Sequence, residues 1–325
     1  MYNQRGATPA FSERTVFLMV FGLIALLLAG GSILMVSWIR GQVNGFTPPA
    51  QTSPVFTNYS NLPSTYLKPE SLAAMSKYIT EHPQPQNVQV LKGMDTSQIA
   101  NYMVAQVAGG LKVDCTYCHN LANGNFAAED NLPMSTVQNV PRKTLARQMM
   151  LMSQDLNQNF VAQLPVSVGG KAITCATCHN GNAVNFNGTS GGLLTNYPAN
   201  QAPLPRNFQL KLDSPADLDL LLITGKVDPN LAAVQYNQYT MTHMTQALGV
   251  GCAFCHNANY FPSNERPQKG YALIMLQMAQ HINATYKPIM GLKAPSCWMC
   301  HQGQQLPPGS ANPGQVPAVL GYVPK

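Results

Sequence analysis

The sequence predicts a mainly α-helical protein with much irregular structure, built as two pseudo-repeated halves behind one N-terminal transmembrane helix. Three observations predict it. Residues Thr15 to Ile39 form one long uncharged, mostly apolar stretch. All 8 cysteines fall into four copies of the pattern Cys-x-x-Cys-His. The segments before the first and second copies recur before the third and fourth, in stretches without the strict alternation of strands.

The N-terminal residues 1–14 are polar and are expected in the cytoplasm. Thr15 to Ile39 carry no charge and are bracketed by Arg14 and Arg40. A helix of that length runs about 37 Å, enough to cross a hydrocarbon core of roughly 30 Å with some tilt. Trp38 sits at its far end, where an interfacial aromatic belongs. The stretch is too long for the apolar region of a cleaved signal, and no Ala-x-Ala-like site follows it. Leu28-Ala29-Gly30-Gly31 faintly resembles a lipoprotein box, but the first cysteine is Cys115. The helix itself is therefore expected to be the anchor, with lipid as its partner. Residues 40–69 are rich in Pro, Ser, Thr and Asn and read as an extended linker. The body follows over 70–325, in halves of about 70–190 and 208–303. A loop from Asn180 to Asn207 separates them, and 304–325 is expected as a surface tail.

Composition narrows the function. Of 325 residues 45% are hydrophobic and 10% charged, with a net charge of +6. Arg5, Arg14 and Arg40 against Glu13 account for +2, leaving +4 spread over the body without a Lys/Arg run. That is no nucleic-acid signature.

The chemistry lies in Cys115-Thr-Tyr-Cys118-His119, Cys175-Ala-Thr-Cys178-His179, Cys252-Ala-Phe-Cys255-His256 and Cys297-Trp-Met-Cys300-His301. Cys-x-x-Cys-His is the attachment site of a c-type haem. Two thiols must reach two vinyl groups on one porphyrin edge, and the next residue must turn its imidazole onto the iron. A zinc knuckle or a disulfide pair would explain one Cys-x-x-Cys. Neither requires His after every pair with no cysteine left over. The sequence thus predicts a multihaem cytochrome of two dihaem halves with four covalently bound haem c groups. The large C-terminal part is then extracytoplasmic, where such haems are attached.

An electron-transfer haem usually takes a sixth ligand, Met or His. Only His82, His243 and His281 lie outside the motifs, so methionine must serve most sites. The repeat selects which. Met103 lies 12 residues before Cys115 and Met241 lies 11 before Cys252; Leu111 and Val113 match Leu248 and Val250. Without a gap, the segment from Arg147 to Asn157 aligns with Leu273 to Asn283, pairing Met149 with Met275 and Met152 with Met278. Met on an apolar helix is by default a core filler. Here the haems need ligands, so Met103, Met149, Met241 and Met275 are expected on the irons. Met278 and His281 are alternatives to Met275. His243 is expected beside a ligand or at the surface, and His82 in solvent.

These features resemble the tetrahaem cytochrome c subunit of bacterial photosynthetic reaction centres, over roughly Glu70 to Gly303. The likeness rests on the alternating spacings from helix to motif, on Met241-Thr-His-Met-Thr-Gln-Ala-Leu-Gly-Val-Gly-Cys252, and on the ending Cys300-His-Gln-Gly303. The resemblance implies an electron carrier rather than an enzyme. Its haems would form a row that re-reduces the photo-oxidised chlorophyll pair of the reaction centre core, fed by a small soluble cytochrome c or a blue-copper protein. It also implies the inner membrane, with the haem domain on the periplasmic side. The family's usual set is three Met/His haems and one bis-His haem, the extra His lying just after the second Met helix. Here Gln158 to Gln163 contain no His, so the fourth haem is expected to be Met/His through Met275. A membrane-anchored tetrahaem quinol dehydrogenase is the alternative, but it would need more histidines and tighter motif clustering. A catalytic multihaem reductase would need an acid/base constellation the sequence does not offer.

Overall fold

The computed structural model describes residues 66–136, 138–165, 170–183, 231–286, 289 and 295–322. All of them belong to the compact unit Thr52–Lys325. The expected membrane helix 15–39, most of the linker and nearly all of the central loop lie outside the described residues. Among the described residues no helix is long and apolar enough to cross a membrane. The body is helical with long irregular connections, and pairing outside helices among these residues is limited to isolated bridges such as Ala172 with Ala311.

Helix α1, Pro69–Glu81, starts at a proline in its first turn, where the missing N–H costs nothing. Helix α2, Thr96–Tyr102, has a capping box between Asp95 and Gln98. It runs on through a π-helical turn, Met103–Ala108, to Gly109–Leu111, and stops where Lys112 turns left-handed at φ 54°. Helix α3, Arg142–Asn159, buries Met150 in one apolar cluster and Met152 and Leu156 in another. Helix α5, Leu231–Leu248, and helix α6, Pro267–Tyr286, are the long helices of the second half.

Two short helices are made by the motifs themselves. Helix α4, Cys175–His179, is capped by Thr174 and ends at left-handed Asn180. Helix α7, Cys297–His301, is capped by Ser296 and ends at left-handed Gln302. They pack against each other near the middle of the body.

The C-terminal segment corrects one expectation. Far from being a surface tail, it is built into the core: Ala311 and Leu320 are each 1% exposed. Ala311 and Ala172 exchange backbone hydrogen bonds of 2.7 and 3.0 Å. Buried Asn157 donates to the carbonyls of Ile173 (3.0 Å) and Leu320 (2.9 Å) and accepts from Ile173 N–H at 2.7 Å. The prolines of this segment limit its backbone donors, so side chains and apolar burial supplement the few backbone bonds.

Candidate functional site

The four motifs adopt two backbone forms, and the forms alternate. The first and third are single 3₁₀ turns, Cys115–Tyr117 and Cys252–Phe254. The second and fourth are the α-helical turns α4 and α7. Either form carries the two thiols and the histidine on a short helical arc.

All four motif histidines then do the same thing. Their Nδ1 atoms lie against backbone carbonyls a few residues on: His119 with Phe126 (3.1 Å), His179 with Asn182 (3.2 Å), His256 with Phe261 (2.9 Å) and His301 with Gln304 (3.0 Å). A carbonyl only accepts, so Nδ1 carries the proton and the lone pair sits on Nε2. That is the tautomer and orientation of a metal-ligating histidine, with the carbonyl as its outer partner. Burial pushes His119 and His179 down to about 4, with the Lys143 charge a further cause at His119, so both are neutral imidazoles at physiological pH.

Two cavities complete the first half. One, enclosing about 1220 Å³ out to its mouth, is lined by Cys115, Cys118, His119 and Met103 among others. The second, about 1250 Å³, brings Met149 together with Cys175, Cys178 and His179. Met150 and Met152 line the second cavity as well, and both are almost fully buried. The walls are largely apolar, as a porphyrin face requires, and the donor set of one imidazole and one thioether fits a low-spin haem iron.

In the second half Met241 and Cys297 share an apolar cluster with Met244, Leu276, Ala272 and Ala279. Met278 and Ile282 join a different cluster, with Cys178, Met299 and Cys300. On a 3.6-residue helix Met275 lies between those two stripes of α6. His281 points elsewhere: its Nε2 is 2.6 Å from the Asp155 carboxylate, which also accepts from Tyr286 Oη at 2.7 Å. His243 is 1% exposed, and its Nε2 accepts the backbone N–H of Cys297 at 3.0 Å. It thus supports the fourth motif from within the core and is not at the surface. His82 is half-buried, its ring 4.6 Å from that of Tyr78.

Contacts between motifs run first, second, fourth, third. Gly181 N–H, after the second motif, donates to Gly110 O, in the helix before the first, at 2.9 Å. Cys178 Sγ and Cys300 Sγ lie 3.6 Å apart. Gly303 N–H, after the fourth motif, donates to Ala247 O, in the helix before the third, at 2.7 Å.

Sequence reasoning missed Lys143, which is buried beside the first cavity, and Lys269 in the matching place of the second half. The signal was present. The ungapped alignment that pairs Met149 with Met275 also pairs these lysines.

Comparison with known proteins bears on the same residues. A family model described as "Photosynthetic reaction centre cytochrome C subunit" matches residues 51–189 and 226–312. Cytochrome c-554 of Chloroflexus aurantiacus is 28% identical, over 77% of this chain and 76% of that protein. The photosynthetic reaction center cytochrome c subunit of Thermochromatium tepidum is 28% identical, over 68% of this chain and 60% of its own length. That of Roseobacter denitrificans is 27% identical over 75% and 73%.

Proposed function

The chain belongs to the photosynthetic reaction centre cytochrome c subunit family, and on that premise we propose that it carries four covalently attached haem c groups and relays electrons from a small soluble cytochrome c or blue-copper protein to the photo-oxidised chlorophyll pair. Cys115, Cys118, Cys175, Cys178, Cys252, Cys255, Cys297 and Cys300 would form the thioethers. His119, His179, His256 and His301 would hold the irons from one side, and Met103, Met149, Met241 and Met275 from the other. The haem supplies one-electron chemistry; the chain supplies position and potential. The protein is in this reading an electron carrier, not an enzyme.

The observation that carries the reading is the fourfold hydrogen bond of Nδ1 to a backbone carbonyl, which leaves Nε2 of every motif histidine for a metal. The motif contacts support a relay in the order first, second, fourth, third, because electrons tunnel best between neighbours. The matched bonds Gly181 to Gly110 and Gly303 to Ala247 support a body of two duplicated dihaem halves. Residues 15–39 would anchor it in the inner membrane, with the haem domain periplasmic beside the reaction centre core subunits.

The test is magnetic circular dichroism of the fully oxidised protein together with a haem count per chain. Four low-spin haems, all Met/His, are expected. Met275→Ala should remove one quarter of the sulfur-to-iron band, whereas Met278→Ala should leave it intact. Fewer than four haems, or mostly bis-His or high-spin irons, would sink the proposal.

A further inference from the structure

The first and third motif sites share a device. In the first, Phe126 O accepts His119 Nδ1–H at 3.1 Å and also Lys143 Nζ at 3.0 Å. In the third, Phe261 O accepts His256 Nδ1–H at 2.9 Å and Lys269 Nζ at 3.4 Å. Each ammonium is fixed by further carbonyls: Ala128 at 2.8 Å for Lys143, and Pro262 (2.8 Å) and Ser263 (3.1 Å) for Lys269. In both sites the phenylalanine ring also packs on the histidine ring, with centroids 5.3 and 5.0 Å apart. The two lysines stand in the first turns of α3 and α6, at equivalent places of the repeat. The loops between His and Phe differ in length, yet the same triad of imidazole, carbonyl and ammonium results.

We propose that Lys143 and Lys269 are positioning residues that set the potentials of the first and third haems, each raising its haem's potential through the carbonyl shared with the motif histidine. This rests on the proposed ligation by His119 and His256. A carbonyl oxygen has two lone pairs, and here the imidazole and the ammonium take one each. The ammonium draws electron density from the oxygen, which then holds the Nδ1 proton less strongly. The imidazole gains less anionic character and donates less to the iron, which favours the reduced state. The Coulomb field acts in the same direction, because a cation near the metal disfavours the more positive ferric form. At the first site Lys143 and Arg147 share the Glu129 carboxylate, at 3.1 and 2.5 Å, while Asp114 lines the same cavity beside Cys115. The Lys143 side chain is 11% exposed, so solvent screens it weakly. The third motif is more open, Cys252 being exposed, and the effect there is smaller.

The experiment is a potentiometric titration, haem by haem, of the full membrane-anchored chain. Lys143→Met keeps the apolar stem and removes the charge. It should shift the electron equilibrium of the first haem about tenfold toward oxidised, about 59 mV for a one-electron couple, and leave the other three in place. Lys269→Met should do the same to the third haem by a smaller factor, and Lys→Arg at either site should restore most of the shift. Glu129→Gln covers the case in which Lys143→Met loses a haem: it leaves the lysine on the carbonyl, removes its counter-charge, and should raise the first potential. Unmoved potentials in Glu129→Gln or Lys143→Met, or an equal drift of all four haems, overturn the proposal. A wild-type count below four haems would instead defeat the ligation reading beneath it.

Discussion

At the scale of single residues, function is carried by small hydrogen-bond choices. Each motif histidine donates its Nδ1–H to the main chain, which leaves the lone pair on Nε2. Glu129 shows how charge is managed beside such a site. The hydrogen bond from Arg147 comes first among the causes that pull its pKa down to about 2, and burial opposes it. The native state therefore keeps this carboxylate ionised in acid that protonates it in the unfolded chain. Its folded value lies below the ordinary 4.5, so its contribution is present above that value and is lost as pH falls toward about 2. Acid unfolding should accordingly be less steep across that window in Glu129→Gln than in wild type, as followed by far-UV circular dichroism. An identical slope would show that solvent screens the ion pair to nothing at a side chain 40% exposed.

At the scale of elements, the two halves reach one arrangement by different backbones. The spacing from methionine to motif is 12 residues in the first half and 11 in the third unit. The π turn Met103–Ala108 accounts for the difference, because closing a turn from i to i+5 takes up one extra residue without turning the helix face away. Helix α5 is uninterrupted, and Met241 needs no such correction. The sequence displayed the mismatch but not its cause, since the π turn carries no glycine or proline to mark it. Glycines matter where helix ends meet motifs. Gly249 has φ +65°, and a Cβ there would overlap the Gly303 carbonyl oxygen. Gly249→Ala should cost about 3 kcal/mol of stability in denaturant unfolding, from left-handed strain plus the displaced α5–α7 contact. A loss below about 1 kcal/mol would mean that the junction relaxes freely.

At the scale of the whole molecule, distant segments are tied by buried polar bonds as much as by apolar packing. Asn157 joins α3, the approach to the second motif, and the C-terminal segment. Asn157→Leu would leave Ile173 N–H and two carbonyls without a partner in the core. It should lower stability by about 3 kcal/mol and open the C-terminal segment to proteolysis. The sequence by itself determined the helical class, the four motifs and their histidines, and it singled out Met103 and Met149, which line cavities shared with the first and second motifs. Those follow from local periodicity and from fixed spacings, which one chain displays along its length. Only the tertiary structure decided that the C-terminal segment is core, that His281 turns to Asp155 while His243 braces Cys297, and that the motifs neighbour one another as first, second, fourth and third. Each of those depends on which surfaces meet across long sequence separations, where burial and pairing between distant residues, rather than local pattern, set the free energy.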